Sequence, residues 1–281
     1  MRRRSTGLVS PGVDALRQID GWGAGVAAAA VVAAGGQVLA SHGPRDEVVR
    51  WASITKPTVA LAVLVAAEEG VLDLDQPAGP EGSTVRHLLA HASGLPFSGR
   101  KPIAPAGRRR IYSNTGFILL GDELERAAGM PLAEYLHAAV VVPLGIRAEL
   151  RGSAAADLFG SLDDLIGLAR ELQSPTVVAQ ETLDEMTDVQ FAGLAGVLPD
   201  VGRFDPNDWG LGVELRDGKQ PHWTGVSNSA RTFGHFGGSG TFLWIDPDVS
   251  VALACLTDRP FDAWALDAWP RLSDDVLAEV A

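Results

Sequence analysis

The chain has 281 residues, of which 46% are hydrophobic and 21% are charged, and its formal net charge is -12 at pH 7. This length supplies enough apolar material for the core of one large domain or of two interleaved ones. The acidic balance, which no basic stripe offsets, excludes nucleic acid and anionic membranes as default partners.

The amino-terminal segment resembles an export signal only in its first few residues. Three arginines open it, but proline and aspartate follow where such a signal would be apolar. We therefore predict a flexible N-terminus over residues 1–8 and a soluble, cytoplasmic protein. Apolar side chains at helical spacing then predict a short amphipathic helix over residues 11–20.

An apolar run over residues 24–34 follows, and it is too short to span a bilayer. It ends at Gly35 and Gly36, a pair that favours a tight turn between two antiparallel strands. The pattern predicts strands over residues 25–34 and 37–42. A short extended segment, residues 47–51, then leads towards Ser53.

Ser53 and Lys56 form the first candidate for chemistry. On a helix, side chains three positions apart lie on the same face, so the amine can reach the hydroxyl. Lysine is scarce here, with three among 23 basic residues, and unlike arginine it can lose its proton when desolvated. Residues 58–67 are apolar on every face and predict a buried helix ending near Glu69 and Gly70. The pair is typical of a nucleophile and its activator at a helix N-terminus, where the dipole favours developing negative charge.

The rest of the chain divides into a helical stretch and a second group of strands. Between residues 70 and 204 the apolar spacing predicts helices over 85–92, 115–128, 132–140, 162–172 and 181–186. Strands are then predicted over 210–215, 231–235, 240–245 and 249–256, with a closing helix over 263–280. The basic run over residues 108–110 is interpreted as solvated loop charge.

Strands near both chain ends with helices between them predict an α+β fold. One antiparallel sheet would be built from both ends of the chain and flanked by helices, with a mostly helical subdomain inserted in the middle. The expected division is an α/β sheet subdomain from residues 9–52 and 205–281. A helical subdomain over residues 53–204 would carry the candidate catalytic motifs.

Two distant segments accompany the Ser-Lys pair, namely Tyr112-Ser-Asn114 and His235-Phe-Gly-Gly238. Together they resemble the serine β-lactamase and penicillin-binding-protein superfamily. The resemblance is strongest to the branch of class C β-lactamases, D-stereospecific peptidases and β-lactamase-like carboxylesterases, and it extends over roughly residues 24–275. Blocks similar to that branch lie at 85–96, 112–121, 160–165 and 233–237. The fold it implies is the β-lactamase/transpeptidase type.

The resemblance implies a role for each motif residue. Ser53 would attack an acyl carbonyl and become acylated, and Lys56 and Tyr112 would share its proton as a coupled pair in which the ammonium favours a phenolate. Asn114 would hold Lys56 and a substrate carbonyl. The backbone N–H groups of Ser53 and Gly238 would form the oxyanion hole.

His235 is a departure from the family's commonest pattern, in which lysine opens this strand motif. Because histidine titrates near neutrality, the resemblance implies weak or pH-dependent recognition of a substrate carboxylate and little β-lactamase activity. Phe236, Gly237 and Trp209 are candidates for the substrate pocket, although Trp209 could instead pack the sheet. The short loop over residues 97–107 leaves little to roof the site, so we expect an open cleft.

These features predict a serine hydrolase that forms an acyl-enzyme on Ser53, an esterase or amidase acting on small acyl esters or amides. The open alternatives are a β-lactamase, a D-amino-acid peptidase, an acyltransferase, and a catalytically silent relative that binds acyl or peptide ligands. We expect no cofactor and no metal, since the histidines and carboxylates show no ligand spacing. His91 is predicted to hold a loop in place through its ring nitrogens, and Cys255 to serve packing. Nothing in the sequence indicates an oligomeric state.

Overall fold

A computed structural model describes residues 13–280 of the chain. The predicted flexible segment over residues 1–8 lies outside the described residues, as do the first two residues of the predicted amino-terminal helix. The strands are β1 (Ala27–Ala33), β2 (Val38–His42), β3 (Val49–Arg50), β4 (Arg110–Ile111), β5 (Glu149–Leu150), β6 (Leu158–Gly160), β7 (Gly196–Leu198), β8 (Gly202–Phe204), β9 (Glu214–Leu215), β10 (Phe233–Phe236), β11 (Phe242–Asp246) and β12 (Val251–Thr257). The α-helices are α1 (Thr55–Glu68), α2 (Val85–Leu89), α3 (Asn114–Ala128), α4 (Leu132–Leu136), α5 (Leu162–Glu171), α6 (Gln180–Thr187) and α7 (Ala263–Val280).

The main sheet has six antiparallel strands in the order β2-β1-β12-β11-β10-β9. Its members come from the first two strands of the chain and the last four. The predicted α+β class, with one antiparallel sheet built from both chain ends, is therefore confirmed. Because β1 pairs with β12 inside the sheet, strands from the two ends of the chain are hydrogen-bonded neighbours.

The sheet separates two apolar cores, and β1 contributes to both. Ala28, Ala30 and Val32 face the larger core, which contains α1 and α5, whereas Ala29 and Val31 face a second core that contains α7. This alternation is the period of two expected for a strand. It explains why the run reads as continuously apolar: both faces of the strand are buried.

Helix α1 lies inside the larger core, and its residues 55–66 are all buried. Its sequence is apolar on every face, as a helix surrounded by other elements requires. Gly70, with φ +70°, follows its end in the left-handed conformation that glycine adopts without penalty. A 3-10 turn, Ala52–Ile54, leads directly into the helix and places Ser53 at its entrance.

The structure corrects several details of the predicted elements. The amino-terminal helix is a 3-10 helix over Asp14–Trp22, and the helix predicted over residues 132–140 ends in a π-helical turn over His137–Val141. Five short strands, β4 to β8, lie inside the segment predicted to be mostly helical, in two small sheets ordered β3-β6-β5 and β4-β7-β8. Strands of two or three residues are too short to display a period, so the pattern missed them.

The remaining expectations concern Cys255, membrane-spanning helices, metal binding, the subdomain division and the location of the protein. Cys255 is buried in β12 and serves packing, as predicted. Within residues 13–280, no helix is long and apolar enough to cross a membrane. The same residues contain no cluster of histidine, cysteine and acidic side chains that could hold a metal ion. The division into two subdomains and the cytoplasmic location stay predictions.

Candidate active site

Ser53 lies on a tight turn between β3 and α1. The residue before it, Ala52, has φ +47°, a left-handed conformation that costs energy for any residue with a side chain. The turn is held by its neighbours: Thr55 Oγ1 donates to the Ala52 carbonyl at 2.6 Å, and the buried Trp51 indole donates to the Gly160 carbonyl at 3.1 Å. Ser53 itself remains partly exposed. The surrounding packing thus presents the hydroxyl at the surface of a cavity.

The Lys56 amine is fully buried and has three hydrogen-bond partners. Nζ lies 3.1 Å from Ser53 Oγ, 2.7 Å from Asn114 Oδ1 and 2.8 Å from the Ala155 carbonyl oxygen. Two of these partners can only accept, whereas the Ser53 hydroxyl can also donate. An ammonium can donate to all three oxygens, and a neutral amine can donate to the two acceptors while its lone pair accepts the hydroxyl proton. Burial lowers the pKa of Lys56 well below its usual value, which favours that neutral form.

Tyr112 follows directly after β4, and its side chain lies beside Lys56 and Ser53. Its ring centroid lies 4.7 Å from Lys56 Nζ, and its hydroxyl is close enough to Ser53 for that side chain to affect its pKa. Desolvation around the hydroxyl raises the pKa of Tyr112 far above its usual value, and the Ser53 side chain opposes this only in part. The expected phenolate stabilised by an ammonium is therefore wrong for this state. Desolvation drives both groups to their uncharged forms, because neither side chain gains enough compensation for carrying charge.

Asn114 is free to bind Lys56 because its neighbour caps the helix. The Ser113 hydroxyl accepts the Gly116 N–H at 2.9 Å, so Ser113 is the N-cap of α3 and Asn114 is the first residue of the helix. Asn114 itself does not cap the helix. Its side-chain oxygen instead accepts from Lys56, and this contact joins α3 to α1.

His235 lies in β10 and is buried, with 3% of its surface exposed. Its Nδ1 lies 2.7 Å from the Phe236 carbonyl oxygen. Since a carbonyl only accepts, Nδ1 carries the proton. Burial lowers the pKa of His235 to about 3. The expected titration near neutrality is therefore wrong: the ring is neutral at physiological pH, and its Nε2 is a bare acceptor.

The two glycines after Phe236 have different surroundings. A Cβ on Gly237 would lie 2.4 Å from the Trp51 carbonyl oxygen and 3.1 Å from the Ser53 nitrogen, whereas one on Gly238 would meet nothing within 4 Å. Gly237 therefore packs behind the Ser53 turn and is not among the residues that line the cavity, and its role in the substrate pocket stays a prediction. Gly238 faces the cavity together with Ser53. The oxyanion role of their backbone N–H groups stays a prediction.

This difference between the glycines yields a prediction for stability. Gly237→Ala should lower the free energy of unfolding by about 1–3 kcal/mol, because the new methyl group overlaps backbone that cannot move freely. Gly238→Ala, the matched control, should stay within about 0.5 kcal/mol of the parent protein. Denaturant unfolding of the three proteins measures the effect. Equal stability of the two variants would contradict the close approach of β10 to the Ser53 turn.

A cavity of about 130 Å³ opens beside Ser53. Trp209 and Phe236 lie in its wall, and their contact with a substrate stays a prediction. The turn of the β7–β8 hairpin and Phe261 supply further walls that the sequence did not indicate, so the cavity is more confined than the expected open cleft. The lining residues are Ser53, Phe97, Tyr112, Leu198, Pro199, Asp200, Trp209, Glu214, His235, Phe236, Gly238 and Phe261.

The sequence analysis did not identify two buried charged groups beside the site. The Arg110 guanidinium, interpreted as loop charge, is 2% exposed and donates to the carbonyl oxygens of Ala90, Gln190 and Asn207. It thus ties together the loops on which Tyr112 rests. Its position two residues before Tyr112 was the only available signal, and a neighbouring run of arginines obscured it.

The second missed group is centred on Glu214, which lines the cavity from β9. Lys219 Nζ lies 2.7 Å from Glu214 Oε1, and His222 Nε2 lies 2.9 Å from Oε2. Although burial alone would raise the pKa of Glu214, these two partners lower it to about 2. The carboxylate is therefore ionised, and its charge is balanced within the protein. No spacing rule links these residues, because their contacts form only when the loop after β9 folds back.

His91 holds a loop as predicted, but through one ring nitrogen only, because its Nε2 has no hydrogen-bond partner among residues 13–280. Its ring is buried, and Nδ1 accepts the backbone N–H of Ser113 at 3.2 Å. The ring also lies against Tyr112 and Trp209, with centroids 4.5 Å and 4.7 Å away. His91 therefore holds the loop before α3 in place.

Comparisons with known proteins show which family model and which proteins this chain is similar to. The family model described as Beta-lactamase matches residues 14–148 and 146–278. A β-lactamase crystal structure from Mycobacterium bovis is 50% identical and covers 95% of this chain and 99% of its own, with a TM-score of 0.93.

Two curated relatives match shorter stretches. Penicillin-binding protein 4* of Bacillus subtilis is 28% identical over 55% of this chain and 43% of its own length. Esterase EstB of Burkholderia gladioli is 32% identical over 36% of this chain and 38% of its own length. The chain thus spans less than half the length of these curated relatives.

Proposed function

The chain belongs to the β-lactamase family, and on this premise we propose that it is a serine hydrolase that forms an acyl-enzyme on Ser53 and acts as an esterase or amidase on small acyl substrates. The observation that carries the proposal is the contact of the buried Lys56 amine with Ser53 Oγ at 3.1 Å. A nucleophile and a base within hydrogen-bond reach, with the base oriented by a third group, is the pattern of an activated serine. Here Asn114 is that third group.

In the first half-reaction, Lys56 Nζ takes the hydroxyl proton while Ser53 Oγ bonds to the acyl carbon. The negative charge develops on the former carbonyl oxygen, which the backbone N–H groups of Ser53 and Gly238 would stabilise. When the bond to the leaving group breaks, the Tyr112 hydroxyl gives that group its proton, and the Lys56 ammonium returns a proton to Tyr112. In the second half-reaction, water loses a proton to the same pair and displaces Ser53, which regains its hydroxyl proton.

The neutral His235 ring supports an esterase or amidase over a β-lactamase or a D-amino-acid carboxypeptidase. Penicillins, cephalosporins and peptide carboxyl ends all carry a carboxylate, which a cation would bind. At this point of β10 the ring offers only an acceptor, since Nδ1 is committed to the Phe236 carbonyl. An acyltransferase would use the same acyl-enzyme with a different second nucleophile. The contacts among Ser53, Lys56 and Asn114 speak against a silent binder.

Two assays of the unmodified protein test the proposal. We expect turnover of p-nitrophenyl butyrate and a mass shift at Ser53 after treatment with a fluorophosphonate, because both reagents need an activated serine. A chromogenic cephalosporin should turn over far more slowly than the ester. Failure of both turnover and labelling would favour the silent binder, and fast cephalosporin turnover would favour the β-lactamase.

The pH dependence of kcat/KM follows from the Lys56 amine. The amine is a base only without its proton, so kcat/KM should rise with pH through the lowered pKa of Lys56 and then level off. His235 should add no step near pH 6.5, because its pKa is about 3. A pH–rate profile with p-nitrophenyl butyrate, corrected for spontaneous hydrolysis, measures this. A step near pH 6.5 that disappears in His235→Asn would refute the neutral ring.

A further inference from the structure

Two side chains that line the cavity each carry a buried polar atom with no partner among residues 13–280, namely His235 Nε2 and Trp209 Nε1. Both side chains are at least nine-tenths buried, at 3% and 1% exposure. Their rings meet edge to face, with centroids 5.5 Å apart. Buried polar groups are nearly always hydrogen-bonded, so two unpaired ones on one cavity wall call for an explanation.

One of the two atoms is a hydrogen-bond donor and the other is an acceptor. The indole Nε1 of Trp209 can only donate. The His235 Nδ1 proton is held by the Phe236 carbonyl at 2.7 Å, so the neutral ring offers Nε2 as an acceptor. These two lining side chains therefore carry one unpaired donor and one unpaired acceptor. The other lining groups include the apolar rings of Phe236 and Phe261 and the Glu214 carboxylate, which is already paired with Lys219 and His222.

A substrate group that satisfies both atoms must donate and accept without carrying a charge. A hydroxyl or a carboxamide does both. A carboxylate accepts from Trp209 but has no proton for His235, and an ammonium donates to His235 but cannot accept from Trp209. Either ion would also lose its hydration in a small and largely apolar cavity.

We propose that His235 Nε2 and Trp209 Nε1 form a specificity-determining pair that selects acyl substrates bearing an uncharged hydroxyl or carboxamide near the scissile carbonyl. The inference rests on the proposed function and deepens it by naming the substrate class. Hydrogen bonds to the pair would strengthen the binding of a substrate with such a group and stabilise its transition state. A substrate without the group leaves both buried atoms unpaired.

A matched series of phenyl esters tests the pair. The acyl chains share a three-carbon stem and end in methyl (butyrate), hydroxyl (3-hydroxypropanoate), ammonium (β-alaninate), carboxamide (succinamate) or carboxylate (hydrogen succinate). We expect kcat/KM, corrected for spontaneous hydrolysis, to be about tenfold higher for hydroxyl than for methyl or ammonium. The same advantage is expected for carboxamide over carboxylate.

Two variants assign the preference to these atoms. Trp209→Phe removes the indole N–H and keeps an aromatic ring, and His235→Phe removes the acceptor. In each variant the hydroxyl-to-methyl ratio of kcat/KM should fall towards one. The ratio is the readout because a general loss of activity lowers both rates equally. If His235→Phe fails to fold, Trp209→Phe alone decides the matter.

The outcomes separate this inference from the proposed function. Turnover of phenyl butyrate without a hydroxyl preference, a carboxylate preferred over carboxamide, or a preference that survives Trp209→Phe would overturn the specificity pair and leave the serine hydrolase intact. Absence of turnover for the whole series, together with absence of fluorophosphonate labelling, would overturn both.

Discussion

Replacing Ser53 with alanine should lower kcat for p-nitrophenyl butyrate by at least about 10⁴-fold and abolish fluorophosphonate labelling. The hydroxyl is the group that would bond to the acyl carbon, and no second side chain can take its place once it is gone. Ser41→Ala is the matched control, because Ser41 is exposed on β2, outside the cavity lining. This variant should match the parent protein in both rate and labelling.

Two results would contradict the assignment of Ser53. One is turnover that survives Ser53→Ala. The other is a fluorophosphonate adduct that peptide mass mapping places on a different residue. Because the Ser53 turn is held by Thr55, Trp51 and Gly237 rather than by the Ser53 hydroxyl, the variant should fold normally. A thermal unfolding curve equal to that of the parent protein would verify this.

Replacing Lys56 with arginine should lower kcat/KM by at least about 10³-fold, although the positive charge is retained. Arginine stays protonated in proteins and cannot accept the Ser53 proton, whereas burial lowers the pKa of Lys56 enough to free its lone pair. Lys101→Arg, at an exposed position, is the matched control and should leave the rate unchanged. Steady-state kinetics at pH 8 measure all three proteins.

Lys56→Met separates the loss of the base from the bulk of arginine. Methionine fills a similar volume without an amine, so this variant should also be inactive even where arginine disturbs the packing. The contacts to Asn114 and the Ala155 carbonyl would lose their donor, which adds a cost in stability. An arginine or methionine variant that keeps the parent rate would show that Lys56 only fills space.

The sequence alone predicted the main sheet and the helices that carry the motifs. The apolar run over β1 and the uniformly apolar α1 both predict buried elements, because only buried elements tolerate apolar residues on every face. The three motifs were recognisable for a similar reason: each is a local string whose residues must stay at fixed spacing to do their chemistry. Ser53 and Lys56 lie close together on one turn of helix, so their contact followed from the sequence.

The short strands and the buried charges could not be predicted in this way. Elements β4 to β8 have two or three residues each, too few to show a period. Arg110 and Glu214 look like ordinary surface residues until distant loops close over them. Their burial results from many long-range contacts, and no pattern in the neighbouring sequence indicates those contacts.

The sequence by itself determined which groups are available for chemistry: a serine, a lysine, a tyrosine and a histidine in recognisable settings. Only the tertiary structure decided their charge. Burial drives Lys56 and His235 towards their neutral forms and holds Tyr112 as a phenol. The physical reason is that a protonation state depends on the solvent removed around a group and on the partners brought to it. Both are fixed by the folded chain as a whole.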